Sequence, residues 1–369
     1  MRRLRTRSWK TSRKMPLHLQ FRRYRLPLRR SLRTAREVWT EREGLLVRVE
    51  RDDRQVGYGE VAPIPAFGTE SVDAAEAALR SLGEWPAEAS LASVPANLCC
   101  VRHALHEALA AAEASPDRDA PAPAESTADA SAAYRAVAAL LPAGPAALAQ
   151  IAAKLESGFR TFKWKVGAGD VADELGLLDD LCAELPAGAK LRLDANGAWR
   201  RRDAERWLER CAERPIEFVE QPCFAPKRDG ETAWRRAEDT LRGLADDYPT
   251  PIALDESLVT DADADRWLSE GWRGWFVVKP SLLADCAQVI ARLAAARRSV
   301  VFSSALETAV GARSALRHAF AWPGERKALG FGVWPLFSDP RFDGPALAPF
   351  VRAEDVARID PEAVWNALT

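Results

Sequence analysis

The clearest pattern in the chain is an alternation of apolar and charged residues over residues 159–167, Phe-Arg-Thr-Phe-Lys-Trp-Lys-Val-Gly. A period of two is typical of a β-strand, in which successive side chains point to opposite faces. Phe162 and Trp164 are therefore predicted on one face of the strand, and Lys163 and Lys165 on the other. Two lysines on the wet face of a strand are common, so this stretch alone does not indicate a site.

Four later apolar runs each end in an ionisable residue. The runs are Leu-Arg-Leu, Ile-Glu-Phe-Val, Ile-Ala-Leu and Trp-Phe-Val-Val, and their composition is typical of buried strands. They end in Asp194, Glu220, Asp255 and Lys279. Because charges recur where buried strands end, we interpret them, together with the two earlier lysines, as parts of one site and not as a solvated face.

The N-terminal third of the chain predicts a separate α+β domain over residues 16–130. Its alternating stretches predict an antiparallel meander, and Ser71 with the alanine-rich sequence after it predicts the start of a helix. The predicted strands are residues 17–26, 44–50 and 54–61, a second helix covers 97–114, and a linker rich in Pro and Ala covers 115–130.

A loop rich in Pro and Gly follows the meander, over residues 61–71. It carries apolar side chains such as Phe67. One interpretation is an ordinary connector between the meander and the first helix. The other is a lid, because apolar side chains on a loop can close over a site and exclude water from it.

Strand-like and helix-like stretches alternate from residue 131 to 340. The predicted strands are 134–141, 159–166, those that end at Asp194, Glu220, Asp255 and Lys279, then 299–304, and an eighth around 329–334. The predicted helices are 144–158, 170–185, 202–213, 231–247, 261–270 and 284–298. About eight such units predict an α/β fold, a (β/α)8-type barrel under the N-terminal capping domain. Residues 341–369 are expected to pack back on the capping domain.

In such a barrel the C-terminal ends of the strands meet at one mouth. The carboxylates of Asp194, Glu220 and Asp255 would then lie close together, and like charges at short range repel unless they are neutralised. A hard divalent cation with oxygen ligands is the simplest solution. The sequence therefore predicts a metal site for Mg²⁺, with Mn²⁺ as the alternative.

Lysines flank the predicted metal site on both sides, Lys163 and Lys165 on one and Lys279 on the other. A lysine beside other cations is expected to have a lowered pKa and to act as a base near neutral pH. Removal of a proton α to a carboxylate needs a cation at that carboxylate and a neutral amine nearby. The constellation therefore predicts this chemistry.

Composition and charge narrow the class of protein. The chain has 369 residues and a formal net charge of −1, but residues 1–15 hold seven Lys or Arg and no acid, which leaves −8 on the rest. An acidic body argues against nucleic-acid binding, and no apolar run approaches the length of a membrane span. Six cysteines without a Cys-x-x-Cys pair are typical of reduced cysteines in a cytoplasmic protein.

The basic leader, residues 1–15, has three interpretations. It resembles an organelle transit peptide, it has the composition of a tail that binds nucleic acid or membrane, or it is a disordered extension upstream of a start at Met15. We favour the last, because Met15 directly precedes strand-like sequence.

Five short motifs lie in order on the predicted strand ends: Phe-Lys-Trp-Lys, Leu-Asp-Ala-Asn, Val-Glu-Gln-Pro, Leu-Asp-Glu-Ser and Val-Val-Lys-Pro. In this order they resemble the enolase superfamily, and specifically its muconate-lactonising branch, over residues 16–350. The resemblance implies an enolase-like fold. It also implies metal ligands at Asp194, Glu220 and Asp255, proton transfer by Lys165 as the second lysine of Lys-x-Lys, and an electrostatic role for Lys279 on the opposite face.

Within the branch, residues 59–70, 191–197 and 303–308 most resemble dehydratases of menaquinone or phylloquinone biosynthesis. This implies a lyase that takes an α-proton from a succinyl-hydroxycyclohexadiene carboxylate and releases water to give an aromatic product. The alternative with the same residues is an N-acylamino-acid racemase or a muconate-type cycloisomerase. Dipeptide-epimerase relatives hold an α-ammonium group with Asp-x-Asp near the eighth strand, where this chain has Gly-Phe-Gly-Val-Trp.

The substrate expected on this basis is a small-molecule carboxylate, and a homo-oligomer is left open. Arg192 shares the strand face of Asp194, which predicts that its guanidinium meets a substrate carboxylate. The complete set of candidate substrate contacts is Arg192, Asn196, Ser303, Ser304 and Phe67.

Overall fold

The structure of the chain is a computed structural model. It describes residues 17–33, 38–51, 55–113 and 133–368. The predicted basic leader lies outside the described residues, and so does the predicted linker.

An antiparallel sheet of three strands forms the N-terminal layer, in the order β1-β2-β3. Its strands and the helices after them are β1 (Leu17–Arg33), β2 (Val38–Arg51), β3 (Val56–Val61), α1 (Val72–Leu82), α2 (Glu88–Ala92) and α3 (Cys99–Glu113). Helix α3 lies directly on β3, because Gly59 has no side chain and a Cβ there would stand 2.0 Å from the carbonyl oxygen of Ala104. The predicted meander and both predicted helices are confirmed.

Strands β1 and β2 extend further than the sequence pattern predicts. Pro27 interrupts the alternation, but it still pairs with Glu41, and the register shifts between Pro27 and Leu32. A proline is tolerated there because β1 is an edge strand of the sheet. The extension reaches the second domain, where Leu28 forms a bridge with Phe337.

A parallel sheet of seven strands, in the order β11-β10-β9-β8-β7-β6-β5, forms the second layer. The strands that follow α3 are β4 (Tyr134–Ala136), β5 (Ala139–Leu141), β6 (Thr161–Lys165), β7 (Lys190–Asp194), β8 (Ile216–Glu220), β9 (Ile252–Leu254), β10 (Trp275–Val278) and β11 (Val300–Phe302). Leu329 forms a parallel bridge with Val137, and Gly330 forms one with Ser303. The two edges of the sheet therefore meet at this short segment, which takes the place of the predicted eighth strand.

Helices follow the strands and cover the outside of the sheet. They are α4 (Ala146–Glu156), α5 (Val171–Glu184), α6 (Arg201–Cys211), α7 (Glu231–Asp247), α8 (Asp261–Ser269), α9 (Cys286–Ala295) and α10 (Ala309–Ala321). Apolar side chains on the outer strand face pack against them, as where Trp164 of β6 meets Trp207 of α6 edge to face. No helix in the described part of the chain is long and apolar enough to cross a membrane.

The prediction of a single strand over residues 134–141 is wrong. Two separate strands occupy it, because β4 pairs antiparallel with β12 (Phe350–Arg352) while β5 joins the parallel sheet. The chain then continues through α11 (Ala353–Ala357) and α12 (Pro361–Ala367). In α12 the carbonyl oxygen of Trp365 accepts a 2.6 Å hydrogen bond from Arg22 of β1.

Candidate active site

The register of the parallel sheet brings the predicted charges to one level. Lys165 is paired with Asp194 across β6 and β7, and Asp194 is paired with Glu220 across β7 and β8. The apolar residues between them, such as Leu193, pack outward into the main core. The charged side chains consequently point into the barrel mouth.

Lys163 lies at the centre of the charged cluster. Its ammonium nitrogen is 2.7 Å from Oε1 of Glu220 and 3.0 Å from Oδ2 of Asp194. Burial alone would lower the pKa of Lys163, but the two carboxylates outweigh burial and hold that pKa above its usual value. Burial likewise opposes ionisation of Asp194, whose pKa is nevertheless held below its usual value by Lys163 and Lys165. Opposite charges at short range thus favour the ionised forms of Lys163 and Asp194.

Lys165 is the more accessible lysine of the pair, with 31% of its side chain exposed against 11% for Lys163. It donates a 2.8 Å hydrogen bond to Oδ1 of Asn196 and lies 3.3 Å from Oδ2 of Asp194. Asn196 in turn donates through Nδ2 to Glu256 at 3.0 Å. The amide of Asn196 therefore fixes the direction in which Lys165 points.

Lys279 approaches the mouth from the end of β10, where it forms an ion pair with Asp255. Its ammonium lies 5.2 Å from the centre of the Phe67 ring. Burial lowers the pKa of Lys279 to about 7. A lowered lysine pKa, which the sequence predicts for a lysine of this cluster, is thus found at Lys279, whereas the two carboxylates beside Lys163 hold the pKa of that lysine above its usual value.

Two polar residues of the quoted motifs have positions that the sequence did not reveal. The buried amide of Gln221 accepts from the backbone N–H of Asp255 at 2.9 Å and donates to the hydroxyl of Ser257 at 2.8 Å. It thereby ties the end of β8 to the end of β9. Burial, together with the charge of Asp194, raises the pKa of Glu256 to about 7. In the sequence, the only sign of a role for Gln221 and Glu256 was that they directly follow Glu220 and Asp255 in the quoted motifs.

A cavity opens above these charges. Of the predicted substrate contacts, Phe67, Asn196, Ser303 and Ser304 line it. Its apolar lining comes from several elements and includes Leu32, Trp39, Ile64, Phe67, Leu140 and Leu306. Leu32 and Trp39 belong to the extension of β1 and β2, which the sequence pattern did not predict. The N-terminal domain therefore contributes both the loop 61–71 and this extension to the cavity wall.

Arg192 corrects the prediction of a substrate contact. Its side chain is 1% exposed and does not line the cavity. It donates at 2.6 Å to Glu217 and at 2.8 Å to the carbonyl oxygen of Ala328, and it lies over the ring of Phe218. Arg192 shares the inward face of Asp194 but lies two residues earlier, about 6.6 Å deeper along the strand. The prediction that it meets a substrate carboxylate is wrong.

The three predicted metal ligands have the right donor chemistry for a hard divalent cation. Asp194, Glu220 and Asp255 are all at most 3% exposed and stand at the ends of consecutive strands. In the arrangement described, their carboxylates turn toward lysines. Among the described residues, no group of three His, Cys, Asp or Glu side chains converges as a metal site. The oxygen ligands that a hard divalent cation prefers are nevertheless present at this position.

Comparison with known proteins places this geometry in a family. Residues 146–348 match the family model described as enolase C-terminal domain-like, and residues 17–112 match the model described as MenC, N-terminal domain. The o-succinylbenzoate synthase of Thermosynechococcus vestitus is 39% identical over 319 residues, which cover 85% of this chain and 92% of that protein. The o-succinylbenzoate synthase of Edwardsiella ictaluri is 33% identical, over 81% of this chain and 85% of that protein.

Solved structures give the same result. The crystal structure of o-succinylbenzoate synthase from Thermosynechococcus elongatus, complexed with Mg in its active site, matches with a TM-score of 0.71 and 36% identity, over 90% of this chain and 96% of that one. The L-Ala-D/L-Glu epimerase of Bacillus subtilis matches with a TM-score of 0.72 at 20% identity, over 90% and 95% of the two chains, which supports the fold alone. The chain therefore belongs to the enolase superfamily, with an N-terminal domain of the MenC family and an enolase-like C-terminal domain.

Proposed function

We propose that the chain is a Mg²⁺-dependent dehydratase that forms o-succinylbenzoate from its 2-succinyl-6-hydroxycyclohexadiene-carboxylate precursor, in menaquinone or phylloquinone biosynthesis. The observation that carries the proposal is the position of Lys165 and Lys279 on opposite sides of the barrel mouth, four strands apart, with Asp194, Glu220 and Asp255 between them. The two o-succinylbenzoate synthases described above, which are similar to this chain over most of their length, support the same reaction.

Lys165 is proposed as the base. It is the more exposed lysine of β6 and reaches into the cavity, so its neutral amine takes the proton α to the substrate carboxylate. The electron pair of that C–H bond forms the new ring double bond as the β C–O bond breaks. The same ammonium then returns a proton to the departing hydroxyl, so that water leaves and the ring becomes aromatic.

The remaining charges stabilise the negative charge that this proton transfer creates. Lys279 acts electrostatically from the opposite side, and Lys163 keeps the two nearest carboxylates paired. Asp194, Glu220 and Asp255 would hold a Mg²⁺ ion, which would supply further positive charge at the substrate carboxylate. Ser303, Ser304 and Phe67 are proposed as substrate contacts because they line the same cavity.

The racemase and cycloisomerase alternatives use the same lysines but are not favoured. The relatives given above at 33% identity or more are o-succinylbenzoate synthases, whereas the epimerase likeness is at 20% identity. The segment that closes the barrel contributes Gly330 and Val333 to the cavity. Neither residue offers a carboxylate to hold an α-ammonium group.

We also propose a cytoplasmic location for the protein. All six cysteines are free thiols, and Cys100 and Cys286 are buried. Such thiols are typical of a reducing compartment. The proposed ligand is a small-molecule carboxylate.

Turnover of the cyclohexadiene precursor by the purified protein with Mg²⁺ tests the proposal. We expect an aromatic absorbance band to appear, and no loss of optical rotation when an N-succinylamino acid replaces the precursor. Lys165→Ala should abolish the band, while Lys190→Ala, at the exposed opposite end of β7, should leave it unchanged. Racemisation without dehydration would overturn the proposal, and turnover by Lys165→Ala would overturn the assignment of the base.

A further inference from the structure

The cavity wall is assembled from three segments that are distant in sequence. The extension of β2 supplies Trp39, the loop after β3 supplies Ile64 and Phe67, and the loop between β11 and α10 supplies Ser304 and Leu306. None of these segments is joined to another by strand pairing at the cavity. Something else must set their relative positions.

Arg42 contacts all three segments. Its side chain is 4% exposed, and its guanidinium lies 5.5 Å from the centre of the Trp39 ring. Nη1 donates at 2.9 Å to the carbonyl oxygen of Pro63, directly before Ile64. Nε donates at 3.1 Å to the carbonyl oxygen of Leu306.

The hydrogen bonds of Arg42 use the fork geometry that only a guanidinium provides. Nη2 donates at 3.2 Å to the carbonyl oxygen of Ala305, and Nη1 donates a second bond, at 2.8 Å, to that of Glu43. Four of its five N–H groups therefore reach backbone carbonyls, and the bonds to Pro63 and Ala305 are buried. A lysine at this position has one ammonium and cannot span the same separation.

The loop that Arg42 holds has an unfavourable backbone conformation. Leu306 has a φ of 61°, in the left-handed region that a residue with a branched apolar side chain rarely adopts. Such a conformation persists only where the surroundings enforce it. Here the side chain of Leu306 lines the cavity while its carbonyl oxygen faces the guanidinium.

We propose that Arg42 is a positioning residue that sets the substrate affinity of the cavity. It holds the loop of residues 303–308 in the one conformation that carries Ser304 and Leu306 into the cavity wall, and it fixes that wall to the start of the loop 61–71. This inference rests on the proposed function for its substrate. The lysines and acids of the charged cluster receive no contact from Arg42, so the chemical step is unaffected by it.

Steady-state kinetics with the cyclohexadiene precursor test the proposal. Arg42→Met should raise KM about tenfold and change kcat by less than about twofold, because a uniform binding interaction is lost and the charged cluster is intact. Arg42→Lys should raise KM by an intermediate factor. Arg48→Met, a change on the same strand at a residue bonded to Gln20 and Glu50, should leave both constants unchanged.

A double-mutant cycle separates positioning from general destabilisation. Glycine adopts a φ of 61° freely, so Leu306→Gly removes the apolar wall without strain and should raise KM by itself. If Arg42 acts through Leu306, the two changes together raise KM no more than the larger single effect. Multiplied effects, or a fall in kcat with KM unchanged, would overturn the proposal. If Arg42→Met gives no folded protein, Arg42→Lys takes its place in the cycle.

A failure of the proposed function would be distinguishable from a failure of this inference. If the wild type does not convert the precursor, the proposed function fails, and amide hydrogen exchange then tests the inference. Arg42→Met should accelerate exchange over residues 303–308, and Arg48→Met should not. If the wild type is active and Arg42→Met keeps its KM, only the inference is wrong.

Discussion

The carboxylate of Glu60, in the N-terminal sheet, accepts hydrogen bonds from the backbone N–H of Thr308 and of Gly311 in the enolase-like domain, both at 2.8 Å. Thr308 is the N-cap residue of α10. A carboxylate is favourable there, because the first N–H groups of a helix lack intrahelical partners and carry partial positive charge. One acid of the first domain thus completes a helix of the second.

Loss of this carboxylate should destabilise the whole protein. Glu60→Ala leaves the N–H groups of Thr308 and Gly311, and the hydroxyl of Tyr24 that now donates to Glu60 at 2.6 Å, without their acceptor. We expect the free energy of unfolding to fall by about 3 kcal/mol. Urea denaturation measures it. Glu50→Ala, which removes a partly exposed ion pair with Arg48, should cost less than about 1 kcal/mol.

The neighbouring acid Glu307 should make stability fall as pH rises. Burial, with the nearby charge of Glu60, raises the pKa of Glu307 to about 7 from a usual value of 4.5. The folded state therefore binds more protons than the unfolded state between these values. The contribution of Glu307 is complete below pH 4.5 and is lost as the pH rises through 7.

Glu307→Gln isolates this effect. The difference in unfolding free energy between wild type and variant should change by about 3 kcal/mol between pH 4 and pH 8, in favour of the variant at the higher pH. Urea denaturation at several pH values measures it, and the subtraction removes the contributions of titrating groups that do not interact with Glu307. A difference that does not vary with pH would contradict the raised pKa.

The strand-end charges could be predicted because a parallel barrel gives sequence position a direct spatial meaning. Alternation placed Lys163 and Lys165 on the inner face, and the ends of apolar runs placed Asp194 at the mouth. The same rule failed for Arg192, since alternation gives the face of a side chain but not its depth in the barrel. Burial of a guanidinium beside Glu217 leaves no periodic signal.

Contacts between the domains were beyond the reach of the sequence. The extension of β1 past Pro27 includes a bridge from Leu28 to Phe337 of the second domain, which local pattern does not encode. For the same reason nothing along the chain links Arg42 to Leu306, 264 positions away. These contacts form only when two independently patterned units pack together.

Asn196 should affect catalysis through Lys165. Its φ of 45° is tolerated by Asn and Gly, and its Oδ1 accepts from Lys165. Asn196→Gly keeps the backbone and loses the amide, so we expect kcat to fall about tenfold. Asn196→Ala should lower the free energy of unfolding by about 1 kcal/mol more than Asn196→Gly does, because alanine is strained at this φ. Turnover and thermal denaturation distinguish the two variants, and an Asn196→Gly enzyme with full kcat would contradict the role.

Two glycine substitutions should have opposite effects on stability, because Gly59 is packed closely against α3 whereas Gly176 faces open space. Gly59→Ala would place a Cβ 2.0 Å from the carbonyl oxygen of Ala104, and we expect a loss of about 3 kcal/mol or more. Gly176 lies within α5, where a Cβ would meet nothing within 4 Å. Gly176→Ala should therefore stabilise the protein by about 1 kcal/mol through helix propensity. Chemical denaturation of both variants checks the pair.

Removal of one carboxylate from the barrel mouth should abolish stabilisation by Mg²⁺. A ligand that binds only the folded state at 100 times its dissociation constant adds about 2.7 kcal/mol, so saturating Mg²⁺ should raise the melting temperature of the wild type. Asp194→Asn, Glu220→Gln and Asp255→Asn should each lose this shift, because a neutral amide is a weak ligand for a hard cation. Glu209→Gln, on the exposed side of α6, should retain it. If all three variants respond to Mg²⁺ as the wild type does, the cation binds elsewhere and these acids serve only to pair with the lysines.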